Sequence, residues 1–236
     1  MPVVPLDHSV RAIHIRPTAE LAERVLLPGD PHRALAVAQA LLDGPRMFNH
    51  TRGLWGYTGT AADGEPLTVQ STGMGGPSAA IVCEELISLG ARRLVRIGTC
   101  GALRDDLRLG ELVAAEAVLP ADGASAALGA NGLMRPDPEL TGALVAAGAR
   151  PETVVSTDLF YDPRPEQDWV ERGAAVVEMQ AATLLGVAAR REVAAACVLA
   201  VSDVPGPGDS KRIDAEALEQ AALRLGEVGY EAVRKR

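Results

Sequence analysis

A basic residue inside an otherwise apolar segment is the first feature that suggests chemistry. The segment LVRIGTCGAL (residues 94–103) is typical of a buried strand, yet it contains Arg96. A charge buried without a partner is very costly, so Arg96 needs one. Thr99 and two flexible glycines, Gly98 and Gly101, follow it. Together these groups suit an oxyanion such as phosphate, although the alternative is a plain strand end from which Arg96 extends its charge to solvent.

Several other apolar segments also end in polar or flexible residues. Ligands of α/β sheets lie at the carboxyl ends of the strands, so these positions are candidates for binding. Glu178 is the strongest of these candidates, because a carboxylate in an apolar run is rarely buried without a partner or a function. The full set of strand-end candidates is Gly29, Asp30, Arg33, Gly73 to Ser78, Thr99 to Gly101, Phe160, Glu178, Met179, Gln180, Ser202 and Asp203.

The elements that must position these residues alternate between strand and helix. Apolar runs predict strands at 24–30, 94–103, 111–119, 153–161 and 194–203, a hairpin over 52–72 around Asp63-Gly64, and a strand turning into a helix over 174–191. Helical patterns cover 31–43, 73–91, 138–147 and 214–236. This order predicts one three-layer α/β/α domain over 1–236, with a central, mostly mixed, twisted sheet between helices.

Three further expectations concern the surface of that domain. Residues 1–24 read as an N-terminal arm leading into the fold. The segment 120–137, rich in Gly, Ala, Asp and Pro, is the predicted long surface loop. Glu84 and Glu85 are expected on the outer face of their helix.

The composition excludes several classes of function. The net charge is −8 and only 3% of residues are aromatic, which disfavours nucleic acid as a partner. Three widely spaced cysteines indicate neither a disulfide framework nor a zinc site, and the histidines lack metal-ligand spacing. No segment resembles a signal peptide or a membrane span. A cytoplasmic protein without metal or organic cofactor is expected.

Seven short motifs then occur in order along the chain: GDPHR (29–33), RGLWGYTG (52–59), STGMGGPS (71–78), RIGTCGA (96–102), DLFY (158–161), VEMQAA (177–182) and VSD (201–203). The set resembles the hexameric purine nucleoside phosphorylase and uridine phosphorylase family over about residues 14–212. The resemblance implies a pentosyltransferase of nucleoside catabolism or salvage. It also implies that inorganic phosphate is a co-substrate, and that active sites are shared between subunits of a homo-oligomer, a hexamer in that family.

The resemblance also assigns roles to individual residues. Those that would bind phosphate are Gly29, Arg33, Arg96 and Thr99, with Arg52 from the neighbouring subunit. Those that would hold the ribose are Met74, Met179 and Gln180, with His14 from the neighbour. The base would be lined by Phe160, Val177, Glu178 and Ser202. Asp203 would protonate the leaving base, supported by Arg212.

Gln180 departs from the family, which usually has glutamate there. Glutamine keeps one acceptor oxygen, replaces the other with a donor amide and removes the charge. The carboxylate of the family accepts hydrogen bonds from the ribose hydroxyls. The resemblance therefore leaves open a sugar-modified substrate or a lower rate.

The base preference also has two alternatives. The Ser-Asp pair at 202–203 resembles the purine branch, which we favour. Residues 86–101 and 122–125 resemble the uridine branch instead. That branch carries a glutamine and an arginine after the DLFY-like segment, where this chain offers only Arg164 or Gln167.

Two other functions remain as alternatives: a hydrolytic nucleosidase on the same fold, and an inactive ligand-binding homologue. A hydrolase has no use for three arginines around a phosphate, so the arginine set favours phosphorolysis.

Overall fold

The computed structural model describes residues 11–162, 166–206 and 210–235. The strands in these ranges are β1 (Arg24–Pro28), β2 (Asp43–Asn49), β3 (Gly56–Thr60), β4 (Pro66–Gln70), β5 (Arg93–Ala102), β6 (Leu112–Ala121), β7 (Arg150–Thr157), β8 (Val176–Glu178), β9 (Ala194–Val204) and β10 (Lys211–Arg212). The α-helices are α1 (Pro31–Leu41), α2 (Gly75–Ser88), α3 (Gly123–Ala127), α4 (Pro138–Ala146), α5 (Gln167–Glu171), α6 (Ala181–Arg191) and α7 (Ala215–Val233). A 3₁₀ turn covers Thr51–Gly53.

The strands form one mixed sheet in the order β10-β9-β6-β7-β8-β5-β1-β4-β3-β2. β5 is its centre: β1 and β8 pair with different halves of one edge, and β9 pairs in parallel along the other. Because β5 pairs with both β8 and β9, the strands β5, β9, β6, β7 and β8 close into a ring. The ring brings the ends of β5, β8 and β9 together.

Alternating side chains of the strands face two helical layers. Val25 and Leu27 of β1 belong to a core cluster that includes residues of α2 and α6, whereas Leu26 belongs to one that includes residues of α1, α4 and α7. β9 alternates in the same way, with Cys197 in the first cluster and Val198 in the second. A strand buried on both faces reads as a continuous apolar run, which is how these segments read in the sequence. The predicted mixed α/β fold with helices on both faces is confirmed.

The differences from the predicted elements have local causes. β2 was not predicted, because DGPRMFN contains Gly and Pro and exposes five of its seven residues. The predicted long loop over 120–137 contains the short helix α3, which Asp122 caps through the backbone N–H of Ser125. None of the described helices is long and apolar enough to cross a membrane.

Candidate active site

Arg96 is buried in β5, with 7% of its surface exposed. Its Nε donates to Oε2 of Glu178 at 2.8 Å, and its Nη1 donates to Oε1 of Gln180. Gly98 makes room for the guanidinium, since a Cβ at that position would lie 2.7 Å from Nη2 of Arg96. A guanidinium has five N–H donors. The two described bonds leave both donors of Nη2 and one of Nη1 for a ligand.

The carboxylate of Glu178 is satisfied entirely within the protein. Besides Arg96, it accepts from the backbone N–H groups of Gln180 and Ala181, each at 2.8 Å, and from the hydroxyl of Ser156 at 2.5 Å. It lies at the N-terminus of α6, where a negative charge is favourable. Its side chain is 0% exposed. The side chain of Glu178 therefore positions Arg96 and the start of α6, and the role of Glu178 in lining a bound base stays a prediction.

Gln180 connects Arg96 to the glycine-rich loop before α2. Its Oε1 lies 2.9 Å from the Thr72 hydroxyl, and its Nε2 donates to the carbonyls of Gly73 at 2.9 Å and Gly75 at 3.2 Å. Gly73 and Gly75 have φ of +72° and +77°, a conformation that other residues rarely adopt. The loop can therefore turn both carbonyls toward the amide, and its shape is tied to the position of Arg96.

Arg33 supplies a second cation beside Arg96. It lies in the first turn of α1, and its backbone N–H donates to the capping carboxylate of Asp30 at 2.9 Å. Burial lowers the pKa of Arg33, Asp30 raises it in part, and the nearby charge of Arg96 lowers it again. Among the described residues its guanidinium has no ion pair. Glu178 pairs with Arg96, and Asp30 compensates Arg33 only in part, so the guanidinium of Arg33 beside that of Arg96 is a group that a bound anion would stabilise.

Gly29 and Thr99 complete the predicted phosphate side. A Cβ at Gly29 would lie 3.2 Å from the carbonyl oxygen of Gly73, so the end of β1 packs closely against the glycine-rich loop. Thr99 follows Arg96 by three residues in β5 and is half-buried. Among the described residues its hydroxyl has no hydrogen bond, so it remains available to a ligand.

Asp203 and Arg212 face each other across the antiparallel pair of β9 and β10. Nε of Arg212 lies 3.7 Å from Oδ1 of Asp203, and the hydroxyl of Ser202 donates to Oδ2 of Asp203 at 2.7 Å. Arg212 is 65% exposed at its side chain, whereas Asp203 is 21% exposed. Asp203 is also paired with Gly101 of β5, which places it at the same edge as Thr99.

Met74 and Met179 line one cavity of about 630 Å³, as their shared predicted role requires. The rest of its lining is Gly75, Pro77, Gly123, Ala124 and Asp158.

Met74 is 90% exposed and Phe160 is 62% exposed. Phe160 packs edge-on against Tyr161, with ring centroids 5.1 Å apart, and does not line this cavity. Val177 pairs with Gly101 in the sheet. Gln167 begins α5, and Arg164 lies outside the described residues.

His14 lies away from these groups, near the far end of α2. Its Nδ1 is 2.7 Å from Oε1 of Glu85, and the backbone N–H groups of His14 and Ile15 donate to Oε2 of Glu85 at 2.9 and 2.6 Å. Glu85 is ten residues after the start of α2 at Gly75, a distance of about 15 Å along a helix. The structure does not bring His14 to the cavity of its own chain.

Glu85 corrects the expectation that both glutamates of α2 face outward. It is only 4% exposed. Burial by itself would raise the pKa of Glu85, but hydrogen bonds from Ile15, His14 and Ile13 together hold it below its ordinary value. The carboxylate can be buried because backbone N–H groups of the N-terminal arm, at His14 and Ile15, donate to it.

Arg52 is exposed on the 3₁₀ turn and has no hydrogen bond to the other candidate residues. Its φ is +59°, in the left-handed region that is rare for a residue other than glycine. Such a conformation persists where the surroundings fix it, and it is commoner at functional sites. Among the described residues, the guanidinium of Arg52 has no hydrogen bond or ion pair.

Comparison with known proteins identifies the family. The model of the phosphorylase superfamily matches residues 23–234. The chain belongs to the phosphorylase superfamily. Three relatives carry the description "Purine nucleoside phosphorylase DeoD-type". The relative from Geobacillus kaustophilus is 36% identical over 81% of this chain and 86% of its own length. The relative from Roseobacter denitrificans is 37% identical over 93% of this chain and 98% of its own length. The relative from Caldanaerobacter subterraneus is 39% identical over 81% of this chain and 88% of its own length.

Two residues that position the site of this phosphorylase superfamily member were not singled out from the sequence: Thr72 supports Gln180, and Ser156 supports Glu178. The inward position of Glu85, which holds His14, was not predicted either. A signal existed for Glu85, because it lies three residues after the core residue Val82 and next to Leu86. For Thr72 and Ser156 the sequence offers no signal beyond their places at strand ends.

Proposed function

We propose that this protein is a nucleoside phosphorylase that acts on purine nucleosides. Inorganic phosphate would attack C1′ of the sugar and displace the base, giving a pentose 1-phosphate and the free base. The observation that carries the proposal is a pair of guanidiniums near the carboxyl end of β1: Arg96 of the neighbouring β5, with free donors on Nη2, and Arg33 of α1, without an ion pair among the described residues. The relatives described as purine nucleoside phosphorylases support both phosphorolysis as the reaction and a purine as the base.

Phosphate would serve as both nucleophile and stabiliser. Breaking the bond between C1′ and the base nitrogen builds positive charge on the sugar. A phosphate dianion held below the sugar by Arg33, Arg96 and Thr99 stabilises that charge while one of its oxygens forms the new bond to C1′. Both guanidiniums are at least half-buried, so their charges act strongly on a bound anion.

The electrons of the broken bond pass to the base, which needs a proton or a strong hydrogen bond. Asp203 is proposed to provide it, with Arg212 stabilising the carboxylate that remains. A positioned general acid typically contributes about 10²–10⁴-fold to the rate. Ser202, which donates to Oδ2 of Asp203, fixes the orientation of the carboxyl group.

His14 and Arg52 are proposed to act in the site of a neighbouring subunit of a homo-oligomer. His14 would contact the sugar 5′-hydroxyl and Arg52 would join the phosphate site. Two features support this: His14 lies about 15 Å along α2 from its own glycine-rich loop, and Arg52 is exposed in a fixed left-handed conformation. Under this proposal the arm that carries His14 contacts the neighbour. A cytoplasmic location suits the three free, buried cysteines.

The test is release of free base from inosine, adenosine, guanosine and uridine, each with and without phosphate. Phosphate-dependent release from the purine nucleosides is expected. Release that ignores phosphate would show a hydrolase, and turnover of uridine alone would show a pyrimidine enzyme.

Arg33→Ala should raise the KM for phosphate about tenfold or more, since hydrogen bonds to charged groups contribute about 1.5–3 kcal/mol. Arg46→Ala is the matched control, because Arg46 is an exposed arginine of β2 outside the site and should leave that KM unchanged. Equal effects of both variants would contradict the assignment of Arg33.

A further inference from the structure

The amide of Gln180 has little hydrogen-bonding capacity left for a ligand. Its nitrogen has two donors, and two carbonyls, of Gly73 and Gly75, accept them. Its oxygen has two lone pairs, and the Thr72 hydroxyl and Nη1 of Arg96 lie on them. The orientation of the amide is unambiguous, because carbonyls surround the nitrogen and a guanidinium faces the oxygen. The residue is 2% exposed.

The position of this amide determines which part of a substrate it meets. Arg96 on one side belongs to the proposed phosphate site, while Gly75 and Met179 on the other line the cavity of about 630 Å³. Phosphate attacks C1′, so the groups between the phosphate and the sugar face the substituents next to C1′, first at C2′ and then at C3′. A side chain at position 180 is therefore the one placed to bind those hydroxyls.

Most side chains of the described cavity lining offer these hydroxyls weak partners. Met74 and Met179 present thioethers, which are weak acceptors. Pro77 and Ala124 present only carbon at their side chains. Among the described lining residues Asp158 alone is charged, and one of its two carboxylate oxygens, Oδ2, already accepts from the backbone N–H of Gly123 at 2.6 Å.

We infer that Gln180 is a positioning residue, which holds Arg96 and the glycine-rich loop and does not bind the sugar hydroxyls, so that the enzyme accepts nucleosides that are deoxygenated or modified at C2′ and C3′. This inference rests on the proposed phosphorolysis. It narrows the substrate class to purine nucleosides whose recognition depends on phosphate and base more than on the 2′- and 3′-hydroxyls.

A carboxylate at this position would behave differently. In Gln180→Glu one carboxylate oxygen would oppose the carbonyls of Gly73 and Gly75, which are acceptors like itself. The side chain would turn away from them, toward Arg96 and the sugar, and would then accept from the hydroxyls. The substitution should therefore create a preference for ribonucleosides.

The experiment compares kcat/KM for inosine, 2′-deoxyinosine and 2′,3′-dideoxyinosine in three proteins. In the unmodified protein the three values should lie within about tenfold of one another, less than one charged hydrogen bond is worth. Gln180→Ala should lower all three together and raise the KM for phosphate, because Arg96 loses a partner. Gln180→Glu should raise the ratio of inosine to dideoxyinosine by about 10–100-fold. Gln220→Glu, on the exposed face of α7, is the control for added charge and should leave the ratio unchanged.

Two results would overturn the inference: a preference of the unmodified protein for inosine of 100-fold or more, far above the roughly tenfold expected, or a loss in Gln180→Ala confined to inosine. If Gln180→Ala does not fold, as judged by thermal melting, the kcat/KM ratios of the unmodified protein and of Gln180→Glu still test the inference. Calorimetric titration with each nucleoside in the absence of phosphate, and separately with phosphate, gives ratios of dissociation constants without turnover, which should follow the same order. If no nucleoside releases base, the proposed phosphorolysis fails, while those binding ratios still test the role of Gln180.

Discussion

At the scale of single residues, two buried charges that interrupt apolar runs of the sequence, Arg96 and Glu178, explain each other. Arg96 and Glu178 are 82 positions apart, yet each is the other's ion-pair partner. The need for partners followed from burial alone, but their pairing did not, because it depends on β8 lying beside β5. Removing either charge would leave the other buried and uncompensated, which is typically more costly than the pair itself is stabilising.

Glu85 provides the residue-scale prediction. Glu85→Gln should lower the free energy of unfolding by about 1–3 kcal/mol, because the arm loses a charged acceptor for its backbone donors. The pKa of Glu85 is lowered in the folded protein. The contribution of ionised Glu85 to the free energy of unfolding is therefore present above pH ~4.3, the ordinary pKa of a glutamate, and is lost as the pH falls below that value. Urea unfolding at neutral pH and at about pH 3 would show the difference between variant and parent shrinking in acid.

Glu84→Gln is the matched control on the same helix. Oε2 of Glu84 lies 3.6 Å from Nε of Arg191, and Glu84 has no hydrogen bond to the described part of the arm. It should therefore change stability less than Glu85→Gln does. An effect of Glu85→Gln that is the same at both pH values would contradict the acceptor role.

At the scale of elements, α7 depends on glycines to approach the sheet. A Cβ at Gly229 would lie 2.7 Å from Cγ2 of Ile97, in β5 next to Arg96. The sequence predicted this helix from its apolar stripe, which included Gly229. It did not indicate that this glycine faces a strand at close range, because that contact is between distant parts of the chain.

Gly229→Ala should destabilise the protein by about 1–3 kcal/mol through overpacking, despite the better helix propensity of alanine. Gly142→Ala in α4 is the opposite case. Nothing lies within 4 Å of its added Cβ, so alanine should stabilise by about 0.5–1 kcal/mol. Thermal melts of the two variants should shift in opposite directions, and a stabilised Gly229→Ala would show that α7 does not pack as described.

At the scale of the whole molecule, predictability follows the range of the interactions. Strand and helix positions along the chain, such as β1 and α1, depend on local apolar patterns and were predicted. Closure of the ring through β5 and β9 depends on strands about 100 residues apart, and sequence patterning does not specify it. The candidate site behaves likewise. Its strand-end positions were predicted, while the internal use of Glu178 and Gln180 required the packed structure.

The largest scale is the assembly, where the proposed sharing of His14 and Arg52 has a direct consequence. At a phosphate concentration far below the parental KM, where Arg33→Ala also has little activity, Arg52→Ala and Asp203→Ala should each have little activity alone. A mixed dimer of the two then contains one site in which both residues are intact. Random co-assembly makes half of the dimers mixed, so about a quarter of the parental activity should return. Mixing Arg33→Ala with Asp203→Ala is the control, because both residues serve their own chain and no site is restored. Mixed oligomers of the first pair that stay inactive would mean that Arg52 does not act across subunits.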